Sequence, residues 1–247
     1  MKFIAIIPAR YASTRFPGKP LALLGTKPII QHVYEQALKY FDNVVVATDD
    51  SRIAQTVEGF GGKVVMTRSD HQSGTDRIAE AYSKLGKEFD VVVNIQGDEP
   101  FIQREHMERI CEAFDYQQTQ IATLAVPFSS LAAAENSNSP KIVTDALGYA
   151  MYFSRSLIPF VRGVDRNKWL EHYPFVKHIG VYAYRSEVLR EIAQLPQSKL
   201  EKAESLEQLR WLENGYRIKV QTVAKETIGI DTPDDLKKAT KQLKSLD

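Results

Sequence analysis

The sequence predicts an α/β fold with a mostly parallel central sheet and helices on both faces. Short apolar runs of strand length alternate with amphipathic stretches through the first half. The runs are continuous in Val and Ile rather than alternating with polar residues, as strands covered on both sides are. Finally, 247 residues at 43% hydrophobic and 26% charged content suffice for a sizeable core and exclude general disorder. A single domain over residues 1–247 is expected, with a less regular region at about 127–185.

The first strand is Phe3 to Ile7, an apolar run closed by Pro8. Thr26-Lys27-Pro28 opens a helix, since proline in the first turn lacks only an N–H that would have no partner there. Ile30, Val33, Tyr34, Ala37, Leu38 and Phe41 recur at helical spacing as its buried stripe. Val44 to Val46 is the second strand, and Asp49-Asp50-Ser51 precedes a helix that ends in Gly59-Phe60-Gly61-Gly62. Lys63 to Met66 and Asp90 to Ile95 are further strands, followed by helices over Thr75 to Leu85 and Arg104 to Phe114. The second half is less regular. Ala150 to Phe153 and Phe175 to Tyr184 read as strands with polar, looped sequence between them, Leu200 to Glu213 as a helix, Arg217 to Val223 as a strand, and Pro233 to Leu243 as a closing helix. Open parallel sheets bind ligands beyond the carboxyl ends of their strands, which directs attention to the loops that follow them.

Composition narrows the partners. Lys and Arg (32) against Asp and Glu (31) leave a net charge of +1, which excludes binding to nucleic acid or a membrane surface driven by charge. The single cysteine, Cys111, excludes an internal disulfide and a cysteine metal cluster and suits a reducing, cytoplasmic compartment. Pro8 and Arg10 end the first apolar run too early for a signal segment. No run has the length of a membrane-spanning helix.

The loop Pro8 to Pro20 carries Arg10, Arg15 and Lys19, stiffened by Pro17 and Pro20, with Gly18 free to adopt a left-handed conformation. Planar guanidinium forks and a mobile ammonium fit phosphate oxygens, so a triphosphate is the expected ligand. Neither a G-x-x-x-x-G-K-[ST] loop nor G-x-G-x-x-G is present. After the third strand, Asp70 to Arg77 offers Thr75 as a helix cap and exposed N–H groups around Ser73 and Gly74 for a base edge or a phosphate. After the fourth, Gln96-Gly97-Asp98 presents a carboxylate suited to Mg²⁺, a hard cation that takes one or two carboxylates together with substrate phosphates. In Ile230 to Asp235, Thr232 and Asp235 form a capping box with Pro233 in the first turn. Asp231 is left over, and is expected to join Asp98 at the metal, since two adjacent carboxylates need a cation between them.

Taken together, Pro8-Ala9-Arg10, Ser13, Arg15 and Pro17-Gly18-Lys19 resemble the nucleotide loop of the CMP-sugar-acid synthetases. Ala47-Thr48-Asp49, Asp70 to Thr75, Gln96 to Pro100, Tyr149 to Arg155, His178 to Tyr182, Leu206 to Arg210 and Asp231-Thr232-Pro233 extend the resemblance end to end, toward the members that activate 3-deoxy-manno-octulosonate (Kdo). The resemblance implies a three-layer, Rossmann-like nucleotidyltransferase fold, a homodimer, Mg²⁺ as cofactor, and the conversion of CTP and Kdo to CMP-Kdo and pyrophosphate for lipopolysaccharide biosynthesis. It places Arg10, Arg15 and Lys19 on the triphosphate, Ser73, Gly74 and Arg77 at the cytosine and ribose, and Asp98 and Asp231 on the metal. Gln96, Arg155, His178, Tyr182, Glu207 and Gln208 fall to the sugar, with Arg155 suited to its carboxylate. From the residues alone, His178 reads as a satisfied core histidine and Glu207 and Gln208 as a wet helix face. The alternatives are the same reaction on 8-amino-Kdo or another sugar acid, and a catalytically idle nucleotide binder. The Gly-Gly-Ser-Lys-like loop of sialic-acid enzymes is replaced here by Tyr11 to Arg15, and the Asp-x-Asp of metal-dependent glycosyltransferases by Asp98-Glu99-Pro100.

Overall fold

Branched apolar runs build the sheet of the first half, and every ladder between them is parallel. The computed structural model describes residues 1–12 and 15–243, so Ser13 and Thr14 of the cationic loop lie outside the described residues. The chain forms two compact units, Met1–Met107 with Thr227–Asp247, and Glu108–Glu226.

In chain order the first unit holds β1 (Phe3–Ala9), the short antiparallel pair β2 (Leu23–Leu24) and β3 (Lys27–Pro28), α1 (Ile29–Leu38), β4 (Val44–Thr48), α2 (Ser51–Gly59), β5 (Val64–Met66), α3 (Gly74–Lys84) and β6 (Val91–Asn94). The chain passes to the second unit within α4 (Arg104–Glu112). Ile4 to Ile7, Val44 to Ala47 and Val91 to Val93 are all buried, and each Val or Ile among them contributes about 1.5–3 kcal/mol relative to its exposed state. β1 pairs with β4 on one side, Ala5 opposite Val44, and with β6 on the other, Phe3 opposite Val91. β5 extends the β4 side. The chain therefore leaves β1 in one direction and returns to its other flank with β6. This reversal opens a crevice at the carboxyl end of β1, where α/β sheets place their ligands.

Several local expectations shift. The helix after Thr26 begins only at Ile29, because Lys27 and Pro28 are drawn into the β2–β3 pair. Leu38, expected on the buried stripe, is 48% exposed at the helix end. The cap of α3 is Ser73 rather than Thr75. Its side chain accepts from the Asp76 N–H and the Asp76 carboxylate accepts in return from the Ser73 N–H, while Thr75 is buried.

The second unit holds β7 (Ile121–Pro127), α5 (Leu131–Glu135), β8 (Lys141–Thr144), β9 (Ala150–Ser154), α6 (Trp169–His172), β10 (Val176–Arg185), α7 (Ser186–Ile192), α8 (Lys199–Glu204), α9 (Gln208–Glu213) and β11 (Ile218–Thr222). Here the pairing is mixed. β11 runs parallel to β7, whereas β10 is antiparallel to β7 and β8 to β9. The β10–β7 register shifts between Ile179 and Tyr182, a bulge that leaves His178 opposite Ala125 and Tyr182 opposite Thr123. β7, β8 and α7 are not among the elements read from periodicity. The single helix expected over Leu200 to Glu213 is broken into α8 and α9 at Ser205, whose φ is +51°. The chain returns to the first unit and ends in α10 (Pro233–Leu243).

Candidate functional site

Three loops converge at the carboxyl ends of β1, β5 and β6 and, with the start of α10, enclose a cavity of about 240 Å³. Pro8 to Arg10, Arg15 and Lys19 come from the first, His71 to Gly74 and Arg77 from the second, Gln96 to Asp98 from the third, and Asp231 from the last. The close approach of the first and third has a stated requirement. A Cβ on Gly97 would stand 2.9 Å from the Pro8 carbonyl oxygen, so only glycine lets the turn that carries Asp98 lie against β1. Gly18, at φ +70°, turns the backbone so that Lys19 starts a 3₁₀ turn pointing back at the cavity.

The charges inside neutralise one another. Lys19 Nζ donates to Asp98 Oδ2 at 2.5 Å and to Asp231 Oδ1 at 3.2 Å, and Arg15 Nη2 donates to Asp231 Oδ1 at 3.1 Å. Two carboxylates far apart in the chain thus share one ammonium. The Thr232–Asp235 capping box forms as the sequence suggests, with bonds of 3.0 and 3.3 Å. The Asp231 side chain takes no part in it and turns to the cations. Arg10 is exposed at the cavity lining.

On the other side of the cavity, Ser73 and Gly74 form the N-terminal turn of α3. Arg77 lines the cavity, but its buried guanidinium is committed to the wall, with Nη1 2.6 Å from Thr67 Oγ1 and 3.0 Å from Asp49 Oδ1. Gln96 Nε2 donates to Asn94 Oδ1 at 3.0 Å. The sequence alone leaves His71 open between a loop histidine and a ligand. In the structure its Nε2 contacts Glu80 Oε2, a pairing from the loop before α3 onto the body of that helix, which no local pattern singles out. Burial pushes the Glu80 carboxyl up, yet bonds from Lys84, the Arg68 N–H and His71 outweigh it and bring its pKa down to about 2.

The remaining candidates lie in the second unit. Protein crowding around the His178 imidazole, with the Lys177 charge adding to it, pushes its pKa down to about 3, so the ring is neutral near pH 7. Its Nε2 is 3.1 Å from Thr123 Oγ1, which itself donates to the Val181 carbonyl at 2.9 Å. With the hydroxyl proton used there, His178 Nε2–H is the donor and Nδ1 is left as an acceptor. The ring packs against Phe153 and Tyr182, and Tyr182 against Trp211. Burial, then Tyr184 and Glu207, raise the Tyr182 phenol well above its usual pKa, and the nearby Thr123 hydroxyl offsets only part of this. Tyr182 Oη, Gln208 Nε2 and Trp211 Nε1 are buried without a partner in hydrogen-bonding geometry among the described residues. Gln208 is therefore not on a wet helix face, and Glu207 beside it is only half-exposed.

Arg155, expected as a fork for a sugar carboxylate, donates to backbone carbonyls here. Its Nε, Nη1 and Nη2 donate to the carbonyls of Glu204, Ser137 and Ser205 at 2.6, 3.0 and 3.3 Å. The guanidinium takes up carbonyls freed where α8 ends, which holds Ser205 in its left-handed conformation and starts α9 in a new direction.

Among the described residues no group of three or more His, Cys, Asp or Glu could hold a metal ion by itself. Magnesium does not need one. It takes one or two hard carboxylates and completes its shell with phosphate and water, and Asp98 and Asp231 already gather around a single cation. The donor set fits. No helix among the described residues is long and apolar enough to cross a membrane.

Comparison with known proteins supplies the relatives. A family model described as cytidylyltransferase matches residues 4–221. A 3-deoxy-manno-octulosonate cytidylyltransferase of Phocaeicola vulgatus is 62% identical over 99% of this chain and 98% of its own. An 8-amino-3,8-dideoxy-manno-octulosonate cytidylyltransferase of a Shewanella species is 48% identical over 98% of this chain and 99% of its own. A solved structure of a CMP:2-keto-3-deoxy-manno-octonic acid synthetase complexed with CTP superposes with a TM-score of 0.92 at 44% identity, covering 100% of both chains.

Proposed function

This chain belongs to the cytidylyltransferase family, and from that premise we propose that it activates Kdo. CTP and 3-deoxy-manno-octulosonate give CMP-Kdo and pyrophosphate, a step of lipopolysaccharide biosynthesis. The observation that carries the nucleotidyl transfer is the shared ammonium of Lys19 between Asp98 and Asp231 in a cation-lined cavity at the end of β1. The choice of Kdo over its 8-amino analogue follows the higher identity to the Phocaeicola relative.

In the reaction the anomeric hydroxyl oxygen of Kdo attacks the α-phosphorus of CTP. The bond from that phosphorus to the oxygen bridging to the β-phosphate breaks, pyrophosphate leaves in line, and the hydroxyl proton passes to solvent. Positioning and charge stabilisation do most of the work in such transfers. Arg10, Arg15 and Lys19 bind the triphosphate, and the α3 N-terminal turn at Ser73 and Gly74 meets the nucleoside, with Arg77 and Asp49 bracing that wall. Asp98 and Asp231 would hold a magnesium ion, which when bound would supply charge stabilisation at the phosphates and lower the pKa of the attacking hydroxyl. Gln96, His178, Tyr182, Glu207 and Gln208 recognise the sugar. The unpartnered Tyr182 Oη and Gln208 Nε2 support this assignment, because each such buried group costs about 1–3 kcal/mol unless something bonds it. Arg155 takes the sugar carboxylate and also maintains the bend before Glu207. The protein acts as a cytoplasmic homodimer, for which the exposed Leu147, Met151 and Phe160 of the second unit offer apolar surface.

Pyrophosphate release from CTP, measured with Kdo, 8-amino-Kdo and sialic acid in parallel, tests the reading. Release that requires Mg²⁺ and has its highest kcat/KM with Kdo is the expected result. A higher kcat/KM for 8-amino-Kdo reassigns the sugar, and no release with any sugar acid ends the proposal.

A further inference from the structure

The spacing of the two aspartates is set by something other than themselves. Thr227 Oγ1 donates to Glu99 Oε2 across 128 residues of chain, and Thr227 is buried. Two residues on, the backbone at Gly229 presses against the same carboxylate. A Cβ there would lie 3.2 Å from Glu99 Oε1 and 3.6 Å from its Cδ. The next N–H, of the fully buried Ile230, donates to the Asp98 carbonyl at 2.9 Å. Asp231 follows, and its own N–H is held by Asp235 at 3.3 Å. Glu99 is in turn rigid relative to Asp98, because its N–H bonds the Gln96 carbonyl at 3.2 Å and its carbonyl accepts from Ile102 at 3.3 Å. Residues 227–232 are thus fastened step by step along the turn that carries Asp98.

We propose that Glu99 and Thr227 form a clasp, closed over Gly229, that positions Asp231 beside Asp98; its consequence for metal binding rests on reading those aspartates as the magnesium ligands. Glu99 acts as a positioning residue. One carboxylate oxygen is taken by Thr227 and the other packs on Gly229, so its part is to hold the segment and not to bind the ion. An alanine Cβ at 229 would meet Glu99 Oε1 at 3.2 Å, so G229A would displace the carboxylate by a few tenths of an ångström.

The test uses the full-length protein with Thr227→Val, Glu99→Ala, Glu99→Gln and Asp231→Asn. Hydrogen exchange at the Ile230 amide, without metal, reads the clasp directly. Mn²⁺ binding in the presence of CTP, followed by electron paramagnetic resonance, reads the metal site. Thr227→Val and Glu99→Ala are expected to speed Ile230 exchange about tenfold or more and to weaken Mn²⁺ binding roughly 10–100-fold, the range for groups that orient metal ligands, with the KM for Kdo held within about twofold. Glu99→Gln, whose amide oxygen still accepts from Thr227, is expected to restore both readouts to within about threefold of wild type. Unchanged Ile230 exchange in Thr227→Val and Glu99→Ala overturns the clasp, as does a Glu99→Gln protein as impaired as Glu99→Ala. If Glu99→Ala fails to fold, Thr227→Val, a near-isosteric loss of one hydroxyl, carries the decision. Mn²⁺ binding that survives Asp231→Asn defeats the metal reading alone, and Ile230 exchange still decides the clasp.

Discussion

The two units solve the problem of polar groups in opposite ways. In the first, the charges at the cavity floor are paired: Lys19 with Asp98 and Asp231, Arg15 with Asp231, Arg77 with Asp49. In the second, Tyr182 Oη, Gln208 Nε2 and Trp211 Nε1 are buried among aromatic rings with no partner in hydrogen-bonding geometry among the described residues, Thr123 standing near the first. The difference follows from cost. A bare buried charge is too expensive to keep, so a cradle for a charged ligand neutralises itself and exchanges partners when the ligand comes. A neutral hydroxyl or amide lacking one hydrogen bond costs about 1–3 kcal/mol, an amount a rigid shell can sustain until a polyol satisfies it. Rigidity is supplied where it is needed. The Glu201–Arg210 pair, buried and bidentate at 2.6 and 2.8 Å, ties α8 to α9, and the bulge in β10 sets His178 and Tyr182 opposite Ala125 and Thr123 respectively.

The largest expected effect tests the charged half. Asp98→Asn should lower kcat by about 10³-fold, equivalent to about 4 kcal/mol of transition-state stabilisation, with little change in Tm, because Lys19 keeps Asp231 as a partner. Steady-state pyrophosphate release and a thermal melt check both. A large fall in Tm with turnover intact would make the cluster a structural ion pair and break the comparison. A smaller effect belongs to the neutral half. Tyr182→Phe should lower kcat/KM for Kdo about 10–100-fold and leave the KM for CTP unchanged. Its Tm should stay close to that of wild type, since the lost hydroxyl has no partner in hydrogen-bonding geometry among the described residues. A Tm several degrees lower would mean that the hydroxyl is satisfied internally.

What the sequence reveals divides along physical lines. Continuous Val and Ile runs mark β1, β4 and β6 because burial on both faces leaves no room for alternation. Asp231 emerges by elimination once Thr232, Pro233 and Asp235 are explained by the cap. β7 carries the same signal in Ile121 to Val126, but only the five-residue α5 follows it, too short for the helical rhythm that makes the first half readable. The break at Ser205 depends on Arg155, 50 residues away, and no local pattern announces it. The same holds for Glu99 and Thr227, 128 residues apart, where each residue alone looks like ordinary turn sequence. Arg77 is legible as a cavity residue, but its burial against Thr67 and Asp49 is not, since the amphipathic pattern of α3 gives no sign that an arginine faces inward.

The smallest expected effect separates the units by pH. His178 has its pKa lowered from 6.5 to about 3, chiefly by burial. Between those values the unfolded chain binds a proton that the folded one refuses, so the folded state loses stability as pH falls through this window, by at most about 1.4 kcal/mol per pH unit. Glu80 in the first unit, lowered from 4.5 to about 2, makes a contribution that is complete above pH 4.5 and is lost only below it. Near pH 5 to 6 the histidine acts alone. His178→Gln keeps an N–H for Thr123 and removes the titration, so its stability relative to wild type should improve steadily from pH 7 to pH 5 in urea unfolding. If the two proteins instead stay a constant distance apart over that range, the imidazole is not held neutral by its surroundings.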